Sequence, residues 1–224
     1  MKRAVVLVMS IVAMLGFLAL GVWQLERRAW KIDLIERVNA RVHAAPDALP
    51  QQSSWSRVNV RDDEYRRVRV TGRWLVDRST LVDALTERGA GNWILTPLAK
   101  ADGVVLVNRG FVPSGQKSDV ADQGTVTVTG LLRMPEPDGR FLRPNQPQAD
   151  RWFSRDVVAI AKARAIGPVA PFFIDSEAIR PGSYPIGGMT VVSFRNTHLI
   201  YALTWFALAG LGGYGTWRFA REES

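Results

Sequence analysis

Apolar and polar positions divide this chain into three stretches. Residues 4–23 are almost wholly apolar, residues 199–217 are apolar again, and the long stretch between them mixes both kinds. Each end run is close to the roughly 20 residues that an α-helix needs to cross the hydrocarbon core of a bilayer. The pattern predicts membrane-spanning helices at residues 4–25 and 197–217. Past the first run, Leu25, Arg28, Lys31, Ile32, Ile35 and Val38 recur near a period of 3.6, so the helix is expected to continue amphipathically through Val42. A Pro/Ser/Gln-rich linker is expected at residues 44–54.

From Tyr65 the period changes to two. Val68 and Val70 alternate with Arg67, Arg69 and Thr71, the mark of a half-buried strand over residues 66–72. Further strands are expected at 80–83, 92–98, 104–111 and 125–132, with closing strands at 172–175 and 189–194. Asp102-Gly103 resembles a tight hairpin turn. Residues 156–165 read as one short helix, with Ser154 or Asp156 near its cap. The expected fold class is an α+β membrane protein. Two transmembrane helices, N- and C-terminal, flank an antiparallel β-rich extracytoplasmic domain at residues 26–196, layered or rolled into a small open barrel.

Charge adds an orientation. Lys2 and Arg3 precede the first apolar run, and Arg218 and Arg221 follow the second. The positive-inside rule places both short tails in the cytoplasm and the long middle on the far side. Ala19-Leu20-Gly21 loosely resembles a signal-peptidase site. The apolar run is nonetheless longer than a signal core of roughly 7–15 residues, so an uncleaved anchor is expected. With no Arg/Ser-rich presequence ahead of it, the setting read from the chain is a bacterial cell inner membrane, with a multi-pass protein whose central domain is periplasmic. A net charge of +8 would suggest nucleic acid for a soluble protein. Here Arg57, Arg61 and Arg66 alternate with Asp62, Asp63 and Glu64, which is a solvated surface of mixed sign. No nucleic-acid partner is expected, whereas contact with anionic membrane lipid is compatible with such a surface.

Candidate chemistry is sparse. The chain has no cysteine and two histidines, His43 and His198. That excludes disulfides, thiolate zinc sites, iron–sulfur clusters and cysteine-based copper handling. There is no nucleophile elbow, no dinucleotide glycine fingerprint and no H-E-x-x-H pair. Ser114-Gly115-Gln116-Lys117-Ser118 lacks the upstream glycine spacing of a phosphate loop and reads as a surface turn. Nothing here argues for an enzyme. The informative cluster lies at the membrane edge, where Trp23, Gln24, Arg27 and Lys31 leave the first span and Arg195, Asn196 and His198 enter the second. At helical spacing His198, Tyr201, Ala202, Trp205, Ala209 and Gly212 share a face. An ionisable group at that depth is a functional hypothesis by default. Neutral imidazole is a common axial haem ligand, and arginines pair with carboxylates such as haem propionates. The alternative stays open that His198 and Tyr201 are interfacial anchors and that the small residues pack the spans together.

Several blocks resemble one family. Gly21-Val22-Trp23-Gln24-Leu25-Glu26-Arg27-Arg28-Ala29-Trp30-Lys31 is similar to the opening signature of the surfeit locus one family of cytochrome oxidase assembly factors. Gly91-Asn92-Trp93-Ile94-Leu95-Thr96-Pro97-Leu98 and Val107-Asn108-Arg109-Gly110-Phe111-Val112-Pro113 resemble further blocks of it. So do Pro144-Asn145 followed by Trp152-Phe153 and Asp156, and the closing stretch Asn196-x-His198-Leu199-x-Tyr201-Ala202-x-Thr204-Trp205. The resemblance covers nearly the whole chain and is loosest at residues 43–56 and 114–124. Phe111 departs from it, since the family often has tryptophan there; a change of packing is expected, not of chemistry.

The resemblance implies a bacterial-type, two-span inner-membrane chaperone of respiratory chain biogenesis. It would bind haem a coming from haem a synthase and assist its insertion into haem-copper oxidase subunit I. The histidine it implies as metal ligand is His198, with Tyr201 and Trp205 lining the porphyrin and Arg195 and Arg27 facing its propionates. The blocks around Trp93 and Arg109 fall on expected core strands and read as structural, with a docking surface for the oxidase as the alternative. Two rival readings remain: a cofactor-free scaffold that stabilises an oxidase assembly intermediate, and a membrane-anchored enzyme. The enzyme would need a concave pocket in the β domain with a perturbed carboxylate or a nucleophile.

Overall fold

The computed structural model describes residues 2–118, 124–140, 142–179, 182–190 and 196–221. The elements in chain order are helix α1 (Lys2–His43), strand β1 (Asp47–Ala48), the single helical turn α2 (Val60–Asp63), strands β2 (Arg67–Trp74), β3 (Thr80–Thr86), β4 (Gly89–Lys100), β5 (Gly103–Pro113) and β6 (Thr125–Arg133), helix α3 (Val157–Ala163), strand β7 (Val169–Ser176) and helix α4 (His198–Arg221). They form two compact units, one of residues 1–37 with 192–224 and one of residues 38–191.

The first unit is a helix pair. α1 is continuous over 42 residues, and the amphipathic stretch beyond the apolar run extends it as its period requires. It stops ahead of Pro46, with Arg41 and His43 in its last turn, where cations favour the negative end of the helix dipole. α1 is long and apolar enough to cross a membrane, with a mean hydropathy of 2.7 in its most apolar window. Val5, Val8, Met9 and Val12 are all more than half exposed, as side chains facing lipid are. Among the described helices α4 does not reach that apolarity. Its 24 residues intersperse Gly210, Gly212, Gly213 and Gly215 with Thr, Tyr and Trp. The two helices interlock in a seam. Phe17 stacks on Trp205 at 5.7 Å between centroids, and Ala202 and Ala209 are fully buried. Gly21 leaves room for the Phe206 ring, which a Cβ there would overlap.

The second unit is built from a seven-stranded sheet in the order β1-β2-β6-β7-β5-β4-β3. A further pairing of Arg73 with Ala99 and Trp74 with Leu98 joins β2 back to β4. Five strands (β2, β6, β7, β5 and β4) therefore close into a small barrel, with β1 and β3 as appended edges. One edge of β4 serves two partners: residues 89–95 pair with β3 and residues 98–99 pair with β2. Pro97 sits at the changeover, where its missing N–H costs no ladder bond, and its carbonyl accepts Leu75 N–H at 2.9 Å.

Period-two alternation gives each central strand two apolar faces. Val68, Val70, Val105, Val107, Val128, Leu132, Phe172 and Ile174 form one core. Leu106 and Phe173, facing the other way, join Val82, Leu95, Trp152, Val157 and Ile160 in a second core beneath α3. Asp156 caps α3 by accepting Ala159 N–H at 3.0 Å.

Three expectations change. The sheet is mixed instead of antiparallel, because β1 pairs parallel with β2 and β7 pairs parallel with β5. The long α3-bearing connection lets β7 insert between β6 and β5, and side-chain alternation carries no information about a neighbour's direction. The supposed linker at 44–54 is ordered domain. It carries β1 and the start of a 3-10 turn, Gln52–Arg57, whose Trp55 packs edge-on against Phe172 in the first core. Of the closing strand expected at 189–194, Met189 and Thr190 are not in a strand and the rest lies outside the described residues.

Candidate functional site

The helix pair sets His198 at the first position of α4, half-buried, with the Thr197 carbonyl accepting from Ile200 N (3.1 Å) and Tyr201 N (3.3 Å). Its imidazole Nδ1 lies 2.7 Å from Gln24 Oε1. A carboxamide oxygen can only accept, so Nδ1 carries the proton and donates, and in the neutral ring Nε2 then holds the lone pair. Gln24 follows Gly21 by one turn of α1, on the stripe that faces α4. Two residues before the imidazole, Asn196 Oδ1 is buried with no hydrogen-bond partner among the described residues. An imidazole with its second nitrogen open is a donor type that haem iron takes, so by donor type His198 fits that group. Ala202, one turn further on, is buried in the seam. The seam also holds a groove of about 360 Å³, lined by Ala13, Met14, Phe17, Gly212, Gly215 and Phe219 among others.

The remaining sequence-derived residues are placed unevenly. Trp205 lies on the packed face, but its ring is stacked on Phe17. Tyr201 is 53% exposed. Three residues of α-helix turn about 300°, which leaves it at the margin of the stripe that Ala202 occupies. Arg27 is exposed, its guanidinium lying over the Trp30 ring at 4.2 Å. Arg195 lies outside the described residues. The structure thus gathers His198, Ala202 and Trp205 with Gln24 and Phe17, and it leaves Tyr201 and Arg27 off that face. Gln24 was visible in the sequence as a polar residue at the end of the first span, but nothing in its spacing pointed to the imidazole.

A second constellation lies wholly in the β unit. Asp175, 5% exposed at the end of β7, accepts from Asn108 Nδ2 (2.8 Å), Arg133 Nη1 (2.9 Å), Arg155 Nη1 (3.3 Å) and Thr190 Oγ1 (2.9 Å). Arg133 also donates to Glu64 at 3.2 Å and Arg155 to Glu136, giving a five-charge chain Glu64–Arg133–Asp175–Arg155–Glu136. It borders a polar cavity of about 250 Å³, walled by Tyr65, Trp93, Asn108, Thr190 and the backbone of Gly110, Gly187 and Gly188. A second cavity of about 300 Å³ adjoins the other side of Arg155 and Trp93, reaching Arg140 and Ser154.

The enzyme reading asked for such a concavity with a perturbed carboxylate, and Glu136 on the second cavity is one, shifted downward. Burial opposes ionisation of Glu136, yet hydrogen bonds and charge from Arg155, with Arg133 adding to them, hold its carboxyl below the ordinary carboxylate range. The Arg155 guanidinium is disfavoured by burial but raised overall by Glu136 and Asp175. Such groups stay ionised near neutrality, whereas a proton carrier works best with a pKa near the operating pH. Among the described residues no group of three His, Asp or Glu is placed to hold a metal.

The motif blocks of the β unit have structural work. Asn108 donates to Asp175 and its Oδ1 accepts Gly110 N–H at 3.1 Å. Arg109 is buried with its guanidinium over Trp74 at 4.4 Å. Trp93 meets Phe111 edge-on at 5.6 Å. Asn145 Oδ1 accepts from Phe153 N (2.8 Å) and Ser154 N (3.2 Å), pinning the loop that carries buried Trp152.

Comparison with known proteins covers most of the chain. The SURF1 family model matches residues 11–210. A SURF1-like protein of Monosiga brevicollis is 34% identical over 224 residues, covering 91% of this chain and 83% of that protein. Surfeit locus protein 1 of Mus musculus is 36% identical over 221 residues, covering 87% of this chain and 69% of that protein. Surfeit locus protein 1 of Homo sapiens is 35% identical, covering 87% and 71%. The chain belongs to the SURF1 family.

Proposed function

We propose, from this membership and from the helix seam, that the chain is a membrane-anchored cytochrome oxidase assembly factor. It binds haem a through His198 and assists haem insertion into oxidase subunit I. The family is one of cytochrome oxidase assembly factors and not of enzymes, which supports the class of function. The observation that carries the ligand assignment is the Gln24–His198 hydrogen bond, since it presents an imidazole with a free Nε2 on a half-buried helix face. Haem a, when bound, supplies the redox-active iron and porphyrin. The chain's own residues hold and orient it: His198 offers the lone pair and Gln24 holds the ring.

In this proposal α4 is the second membrane span. It is shorter on aliphatic residues than α1, and it packs on α1 through buried Ala202 and Ala209, with Gly213 beside Met14. The span boundaries proposed are residues 4–25 and 197–217, with the β domain at 26–196 between them. Lys2, Arg3, Arg218 and Arg221 support cytoplasmic tails and a periplasmic β domain. A bacterial inner membrane is the proposed setting, although the relatives named above are eukaryotic. Haem a synthase and membrane lipid are the further partners proposed, with Arg195, Arg27, Tyr201 and Trp205 as secondary contacts to haem.

One observation favours the cofactor-free scaffold: Trp205 already spends a ring face on Phe17. The two readings separate in one experiment. His198→Ala protein, purified in detergent from a host that makes haem a, is expected to be colourless where the wild type carries haem. Equal haem content in both would overturn the ligand assignment. Co-purification of subunit I with a colourless wild type would favour the scaffold.

A further inference from the structure

The geometry points to Gln24 as a positioning residue that sets the tautomer and donor strength of His198. This rests on the haem reading for its consequence, but not for its structural premise. His198 Nδ1 and Gln24 Oε1 are 2.7 Å apart, short for a nitrogen donor, and the two residues lie on different helices. An imidazole at a helix start can rotate about two side-chain torsions and exchange tautomers. A single acceptor on the neighbouring helix removes both freedoms. It holds the proton on Nδ1 and turns Nε2 to the opposite edge of the ring.

Acceptor strength then becomes electronic control. A ring whose N–H donates strongly gains basicity at the other nitrogen, and partners of this kind typically change metal affinity about 10–100-fold. A neutral carboxamide gives an intermediate push. A carboxylate in its place would push harder and favour ferric iron, and an apolar side chain would leave the ring loose and less basic. Gln24 therefore sets how firmly haem iron is held, and a carrier that must give up its haem needs a grip that is firm but reversible. Gly21, one turn earlier, contributes by letting Phe206 and hence α4 approach closely enough for the bond.

Two arms test this. The first needs no haem. The chain has two histidines, so nitrogen-15 spectra of histidine-labelled apo protein contain two imidazoles. His43, whose Nδ1 donates to the Asn39 carbonyl at 2.8 Å, serves as the internal control. Wild type should show the Nδ1–H form at His198. Gln24→Leu should shift His198 to mixed tautomers and leave His43 unchanged.

The second arm uses haem-loaded protein. Gln24→Leu should weaken haem retention by tenfold or more and raise the iron midpoint potential. Gln24→Glu should restore retention and lower the potential below wild type, a rescue that mere packing would not produce. Unchanged tautomer and unchanged potential in both variants would overturn the proposal while leaving His198 as ligand. A tautomer shift in apo protein, together with haem that survives His198→Ala, would uphold the Gln24 contact and sink the haem reading instead.

Discussion

Asn108 and Asp175 face each other across the one parallel junction of the barrel, on β5 and β7, and the Asn108 carboxamide donates to Asp175 Oδ1 at 2.8 Å. This contact is the last pair of the β5–β7 ladder, midway along β5 and near the end of β7, beyond which residues 186–188 lie between the strands. Ile186 exchanges two 2.9 Å hydrogen bonds with Phe111, and Gly188 N–H donates to the Ser176 carbonyl at 2.9 Å. A buried charge at such a junction ties three strands and one inserted segment to a single atom pair.

Asp175→Ala should therefore be costly. It leaves Arg133 and Arg155 without their shared buried partner, and breaking a buried pair from one side typically costs about 3–5 kcal/mol. Urea unfolding followed by tryptophan fluorescence should show a loss of that size. A loss below about 1 kcal/mol would mean that water already screens the pair.

Gly110→Ala should free the inserted segment. Gly110 has φ of +130°, and a Cβ there would overlap the Ile186 carbonyl. Strain of about 1–3 kcal/mol is expected. Hydrogen exchange should report it locally, as faster exchange at Phe111 and Ile186, with the amides of β2 and β6 unaffected.

The β domain should weaken in acid through Glu136. Its folded carboxyl lies below its usual value of about 4.5. The stabilisation is thus fully present above that value and lost as pH falls through the lower, folded one. The wild type should lose unfolding midpoint temperature as pH falls below about 4.5, and Glu136→Gln should lose less over the same fall. Parallel curves would show that Arg155 contributes nothing to this titration.

Much of the domain was legible in the chain because its signals are local. Period two placed β2 to β6 close to where they lie, and Asp156 announced α3 through its cap. The barrel was less legible. Its closure depends on β2 reaching Leu98 and Ala99 of β4, and no spacing within either strand encodes that meeting. Nothing around Trp55, just past the expected linker at residues 44–54, announced its burial, because that comes from Phe172, far along the chain. Among the candidate residues, His198 stood out as one of two histidines, whereas Tyr201 was drawn onto the helix face by spacing alone.

The chain by itself determined the apolar anchor, the alternating strands and the lone imidazole at the head of α4, since helix and strand periods and membrane length follow from neighbours a few residues apart. Tertiary structure alone decided that β7 lies between β6 and β5, that Asp175 collects two arginines, and that Gln24 meets His198 across 174 positions of sequence. Those contacts join groups far apart in the chain, and only packing of the folded molecule sets their distance.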